Sequence, residues 1–393
     1  MGQVVLLGAG FSKAISNAMP TLAELGSRVL TELGPEHSHD LDPFDGDLEA
    51  YLSYIGADQP WLSDENNLRN RALFSETVIA VRDVIVHAEA QTSRDGVPEW
   101  LARLAWQWSR DRTSILTFNY DTLLEEPLRM ASRAGTLADL YMVPIVERQA
   151  PGWGSMFSTS GPQKSPAELF KMHGSVNWLH GGEAAPVTDP LILRYPDNDG
   201  EALPRSSRIY GGLRPFIVPP TSVKNRYYDR VGLRAQWQTA ADRLQAADRL
   251  TVIGYSLPAT DVGSTSFLQT NLDAEAIVEV VDPCADVASR FREVVQRDVH
   301  HRASITDWLP TAVADFVEWW VTDENSDQAR AHVRVNGVER VDKAPIVRDR
   351  AELEEWRRAA MPDLLDVELN GYVDGSVVSH GWLCPVGDRP AAA

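Results

Sequence analysis

The chain has 393 residues, 44% hydrophobic and 24% charged, a globular composition that argues against wholesale disorder and leaves room for two or three domains. Its formal net charge of −19 argues against direct, strong nucleic-acid binding, because a polyphosphate would be repelled. Two distant cysteines, Cys284 and Cys384, supply neither a disulfide framework nor a four-cysteine zinc site, and no apolar run reaches the ~20 residues that span a bilayer. The N-terminus carries no basic segment followed by a cleavable apolar core, so a soluble, cytoplasmic protein is expected.

Residues 3–7 read as a buried strand: a short apolar run that ends in Gly8-Ala9-Gly10-Phe11-Ser12. Thr21-Leu22-Ala23-Glu24 has the form of a capping box, and Leu22, Leu25, Val29, Leu30 and Leu33 continue at helical spacing until Gly34-Pro35. Residues 36–66 have weak periodicity and predict short helices and loops, while 68–92 and 98–110 read as helices. About 80 mostly helical residues thus separate the first strand from the next, far more than an ordinary crossover needs, which marks a helical insertion over roughly 22–112.

Four more strands are expected at Ser114–Phe118, Leu169–Met172, Leu250–Ile253 and Ala276–Val281, with helical segments at Thr122–Ala131 and Leu233–Ala247. This alternation predicts an α/β fold, a Rossmann-like parallel sheet. Residues 180–230, rich in Gly, Pro and Asp, read as an irregular insert with a hairpin or two. The expected boundary lies near residue 310, with a small β-rich C-terminal extension over 311–393 whose short strands are joined by Asn-Gly and Asp-Gly turns.

Each expected strand ends in small or polar residues: Gly8-Ala9-Gly10-Phe11-Ser12, Thr117-Phe118-Asn119-Tyr120-Asp121, His173-Gly174-Ser175, Gly254-Tyr255-Ser256 and Asp282-Pro283. In open parallel sheets ligands bind outside the carboxyl ends of strands, where glycine lets backbone amides approach phosphate. Singly, each motif has an ordinary reading. Gly8-x-Gly10 lacks the third glycine of the dinucleotide fingerprint, with Lys13 in its place, and alone can be a tight turn. Asn119 and Asp121 can be a helix cap and a surface turn, and His173 a strand-end histidine. Gly254-Tyr255-Ser256 is followed by Leu257 and Pro258, so the nucleophile elbow of serine hydrolases is not met.

Taken in order, these segments resemble the sirtuin-like family, in particular its bacterial anti-phage branch that degrades NAD. "GAGFS" is similar to the family's phosphate loop, "TFNYD" to its T-x-N-x-D segment, "KMHGSVNW" to the segment with the catalytic histidine, "VIGYSLPATD" to the later G-x-S strand end, and "VEVVDP" to the strand that closes on adenine. "FIVPPTSVKN", followed by a helix with Trp237, resembles the bacterial branch. Two departures count against acyl-lysine deacylation: the zinc-binding cysteines are missing, and Met19-Pro20-Thr21-Leu22 stands where the deacylases carry Asp-Phe-Arg.

The resemblance implies an NAD+ hydrolase that uses NAD as substrate and no metal. Cleaving the nicotinamide–ribose bond passes through an oxocarbenium-like state, so the site must hold the ribose, exclude water from the base and stabilise positive charge. The implied catalytic residues are Asn119 (ribose hydroxyls and the attacking water), His173 (proton acceptor) and Asp121 (orienting the nicotinamide end or the Asn119 loop). Gly8, Ala9, Gly10 and Ser12 would cradle the pyrophosphate. Gly254 and Ser256 would line the phosphate–ribose path, Asp282 would lie near the adenosine, and Phe11 and Thr117 complete the cofactor-binding set. A free NAD hydrolase endangers its own cell, so a homo-oligomer or a partner protein such as a HerA-type ATPase is expected to gate it. The rival readings are a non-catalytic NAD or ADP-ribose sensor, an NAD-dependent deacylase or ADP-ribosyl transferase, and an α/β domain with an unrelated ligand.

Overall fold

The computed structural model describes residues 2–96, 98–132, 134, 136–147, 167–182, 185–193, 213–221, 224–258 and 261–312, then strand backbone at 317–325, 328–335, 338–339, 346–347 and 380–383, and residue 355. In chain order the elements are β1 (Gln3–Leu7), α1 (Ala9–Ile15), α2 (Leu22–Leu33), α3 (Leu48–Ile55), α4 (Asp64–Asp95), α5 (Glu99–Arg110), β2 (Ser114–Thr117) and α6 (Glu125–Ser132). They continue with β3 (Ile145–Glu147), β4 (Glu168–Lys171), β5 (Gly174–His180), β6 (Leu191–Leu193), β7 (Arg214–Ile217), α7 (Asn225–Tyr228), α8 (Val231–Gln245), β8 (Arg249–Ile253) and α9 (Val262–Asn271). Then follow β9 (Ile277–Val281), α10 (Ala285–Val295), β10 (Val299–Arg302), α11 (Ile305–Ala312), β11 (Val317–Asn325), β12 (Gln328–Val335), β13 (Val338–Glu339), β14 (Ile346–Val347) and β15 (His380–Leu383).

Six strands form a parallel sheet in the order β10-β9-β8-β1-β2-β4, so the fold is α/β and Rossmann-like. The winding runs outward in both directions from β1, which puts the switch point at the end of the first strand. β1 is apolar along its length because both its faces are covered: Val4, Val5, Leu6 and Leu7 are all buried. Val4 and Leu6 share a core with Phe170, Leu244, Val252, Val280 and Phe291, contributed by neighbouring strands and by α8 and α10.

The helical insertion between β1 and β2 starts where the sequence places it. Thr21 and Glu24 form the capping box of α2, with the Thr21 amide donating to Glu24 Oε2 at 2.9 Å. Lys13 reaches the same carboxylate at 2.9 and 3.0 Å, so the residue standing at the third fingerprint position ties α1 to α2. A second, four-stranded sheet has the order β3-β6-β5-β7.

Two compact units are present: Met1–Val97 with Trp108–Asp307, and Pro98–Gln107 with Trp308–Ala393. In the second, β13-β12-β11-β15 form an antiparallel sheet, and β14 also pairs with β12. The Asn-Gly and Asp-Gly turns expected there lie outside the described residues, as do parts of the 180–230 insert. Among the described residues no helix is long and apolar enough to cross a membrane.

Candidate active site

The opening turn is shaped by backbone pressed against backbone. Gly8 N donates to Ile253 O at 3.1 Å and Gly10 N to Gly254 O at 2.8 Å, so β1 and β8 stay joined past their ends. A Cβ on Gly8 would lie 2.5 Å from Tyr255 Cα, and one on Gly254 would lie 2.3 Å from Phe11 N, with Gly254 already at φ +62°. These glycines therefore serve the close approach of two strand ends. The Gly10 amide is committed to Gly254 and the Phe11 amide to Gly8 O at 2.9 Å; the Ala9 amide has no acceptor among the described residues.

Asn119, on the loop after β2, locks onto this turn. Its Nδ2 donates to Gly8 O at 2.8 Å and to Ser12 Oγ at 2.9 Å, and Ser12 Oγ donates to Asp121 Oδ2 at 2.6 Å. Both amide hydrogens are thus used inside the protein, and Asn119 Oδ1 remains as an acceptor. Thr117 Oγ1 accepts the Asn119 amide at 3.1 Å. Beneath the loop, the buried Lys171 donates to the Asp121 carbonyl and, at 2.9 Å, to Glu125 Oε1. Burial raises the Glu125 pKa, a shift that Lys171 opposes. Thr122 donates from both its amide and its hydroxyl to Glu89, whose carboxyl is pushed up to about 7 by its burial and by the Asp121 charge.

His173 lies in the turn between β4 and β5. Its ring centroid lies 4.8 Å from Phe118 and 6.4 Å from Trp237, and Trp237 Nε1 donates to Met172 O at 3.1 Å. The side chain is buried, and among the described residues its Nε2 has no hydrogen-bond partner. Burial, assisted by the Lys224 charge and opposed by Asp261, lowers its pKa to about 3. The imidazole is therefore neutral near pH 7. Gly174 follows at φ +77°, where a Cβ would lie 2.3 Å from Phe216 O, so the turn that aims His173 requires glycine.

These strand ends surround a cavity of about 480 Å³, within the ordinary range for small-molecule sites. Gly8, Ala9, Gly10 and Ser12 line it, as do Asn119, Asp121, His173, Gly254, Ser256 and Asp282. Phe11 and Thr117 do not. Phe11 is buried with its ring 6.1 Å from Trp108, and Thr117 acts behind Asn119. The sequence reading assigned no site role to Lys224, Tyr255 and Asp261, although their stretches stood out; they also line the cavity. Asp261 stands before a helix, as a cap would, but its pairing with Lys224 joins segments 37 residues apart and leaves no periodic trace. Among the described residues no cluster of three acidic, histidine or cysteine side chains is placed to hold a metal ion.

No protein-family model and no curated protein matches the chain. Among solved structures, it is similar to a histidine-to-asparagine mutant of a Sir2 homologue in complex with ADP-ribose, at 12% identity and a TM-score of 0.32, over 75% of this chain and 90% of that one.

Proposed function

We propose that this chain is an NAD+ hydrolase that cleaves the nicotinamide–ribose bond to give nicotinamide and ADP-ribose. The observation that carries the reading is a pair of acceptors with no partner among the described residues, Asn119 Oδ1 and His173 Nε2, on residues lining one cavity at the switch point of a parallel sheet. The residues fit a dinucleotide: the cavity runs from Asp282, at the end of β9, past the glycine turn to His173.

In this reading Asn119 Oδ1 accepts from a ribose hydroxyl and fixes the sugar, because its amide hydrogens are already held by Gly8 and Ser12. Asp121 acts through Ser12, keeping the hydroxyl turned so that it accepts from Asn119. His173, neutral and screened by aromatic rings, accepts a hydrogen bond at Nε2 from a ribose hydroxyl or from water. Phe118 and Tyr255 exclude water from that end. The ordered motifs support an effector that depletes NAD in bacterial anti-phage defence, with its activity gated by self-assembly or by a partner such as a HerA-type ATPase.

The test is nicotinamide release by the purified protein, scanned over protein concentration, beside His173→Ala and Asn119→Ala. Loss of at least about 100-fold is expected in each variant, the scale of one positioned acid–base group. Full activity in either variant would remove that residue from the mechanism. NAD binding without release, at every concentration, favours the sensor reading instead. Release only in the presence of an acylated peptide favours the deacylase.

A further inference from the structure

Lys224 makes no contact with substrate in the mechanism above, yet it lines the same cavity, and its ammonium lies 3.2 Å from Asp261 Oδ1 with only 13% of the side chain exposed. Asp261 has further partners besides Lys224. The carboxylate caps α9, accepting from Ser264 N at 3.4 Å, from Ser264 Oγ at 2.8 Å and from Tyr255 Oη at 2.9 Å. Among the described residues Asp261 Oδ1 is the one acceptor within hydrogen-bond reach of Lys224 Nζ, and the other two N–H groups have no partner among them.

The charge around the cavity makes that cation matter. Its lining carboxylates are Glu49, Asp121, Asp261 and Asp282, against the ammonium groups of Lys13 and Lys224. Lys13 is held by both oxygens of Glu24 and by Asn17 O at 3.2 Å. The glycine turn offers fewer donors than its sequence promises, since the Gly10 amide goes to Gly254 and the Ser12 hydroxyl to Asp121. A pyrophosphate brings two negative charges into this surrounding, and they need a cation with donors to give.

We infer that Lys224 is the pyrophosphate-binding residue of this site, donating from Nζ to phosphate oxygen while Asp261 holds the ammonium in place; the assignment rests on the dinucleotide reading above.

The experiment measures ADP-ribose binding to the purified full chain by calorimetry, with a thermal melt of each variant to establish folding. Lys224→Met is expected to weaken binding at least about tenfold, the scale of one charge-assisted hydrogen bond, and Lys224→Arg to keep most of it. Because Lys224→Met alone leaves a buried carboxylate without its cation, the double variant Lys224→Met with Asp261→Asn is decisive. It should bind as weakly as the single variant. Wild-type affinity in the double variant would show that Lys224 only neutralises Asp261, overturning the assignment while the dinucleotide reading stands. A wild-type chain that binds no ADP-ribose would overturn the reading and the assignment together.

Discussion

His173 gains its chemistry from its surroundings. Packed against Phe118 and buried, it resists protonation, with its pKa lowered to about 3 against about 6.5 in an unfolded chain. Between those values the unfolded state binds a proton that the native state refuses, so stability rises with pH across that window and is lost as pH falls from about 6.5 towards 3. His180, lowered to about 4 by burial and the Arg230 charge, acts in the same direction. Glu89, pushed up to about 7, acts in the opposite one. Comparing wild type with His173→Gln by urea unfolding at pH 7 and pH 5 isolates the first effect. The wild type should lose about 2 kcal/mol more than the variant over that interval. Equal losses would mean that the native imidazole protonates normally and is open to water. The identity of this residue was legible from its place after an apolar run. Its neutrality was not, because the rings of Phe118 and Trp237 reach it from other parts of the chain.

At the scale of elements, the site exists because β1 and β8 continue side by side into their loops. Gly254 is the tightest point, at positive φ and with no room for a Cβ against Phe11 N and Gly10 C. Gly254→Ala should destabilise the protein by at least about 1–3 kcal/mol and abolish ADP-ribose binding, because the two strand ends must part. Gly263, in the first turn of α9, is the control. Among the described residues a Cβ there meets only Asp261 Oδ1, at 4.0 Å, so Gly263→Ala should stabilise by about 0.5–1 kcal/mol and leave binding unchanged. Unfolding midpoints of the two variants decide the matter, and equal midpoints would refute the interlock. The sequence revealed β1, β2, β4, β8 and β9 because each is an apolar run stopped by a small or polar residue. It hid β10, since Val299 is buried while His300, His301 and Arg302 are exposed, as suits an edge strand. It also hid the orientation of Asn119, because the acceptors that hold its amide come from Gly8 and Ser12, more than 100 residues away.

Over the whole molecule, 56 acidic residues outnumber 37 basic ones, giving the formal charge of −19. A protein that reads nucleic acid gathers lysine and arginine along a phosphate track, and its affinity then falls steeply with salt. Here the net charge has the opposite sign, and the cation proposed for phosphate, Lys224, is a largely buried side chain lining a cavity of about 480 Å³. The two scales combine into one selectivity: polyanions are repelled at a distance, and a small anion that enters meets a cation held ready by Asp261. A labelled 20-base-pair duplex, followed by fluorescence anisotropy, should therefore show no binding at protein concentrations of about 10 μM in 150 mM salt, where non-specific binders already associate. Lowering the salt to about 50 mM should not rescue it, because weaker screening strengthens the repulsion. Binding that tightened as salt fell would reveal a basic track and overturn this charge argument.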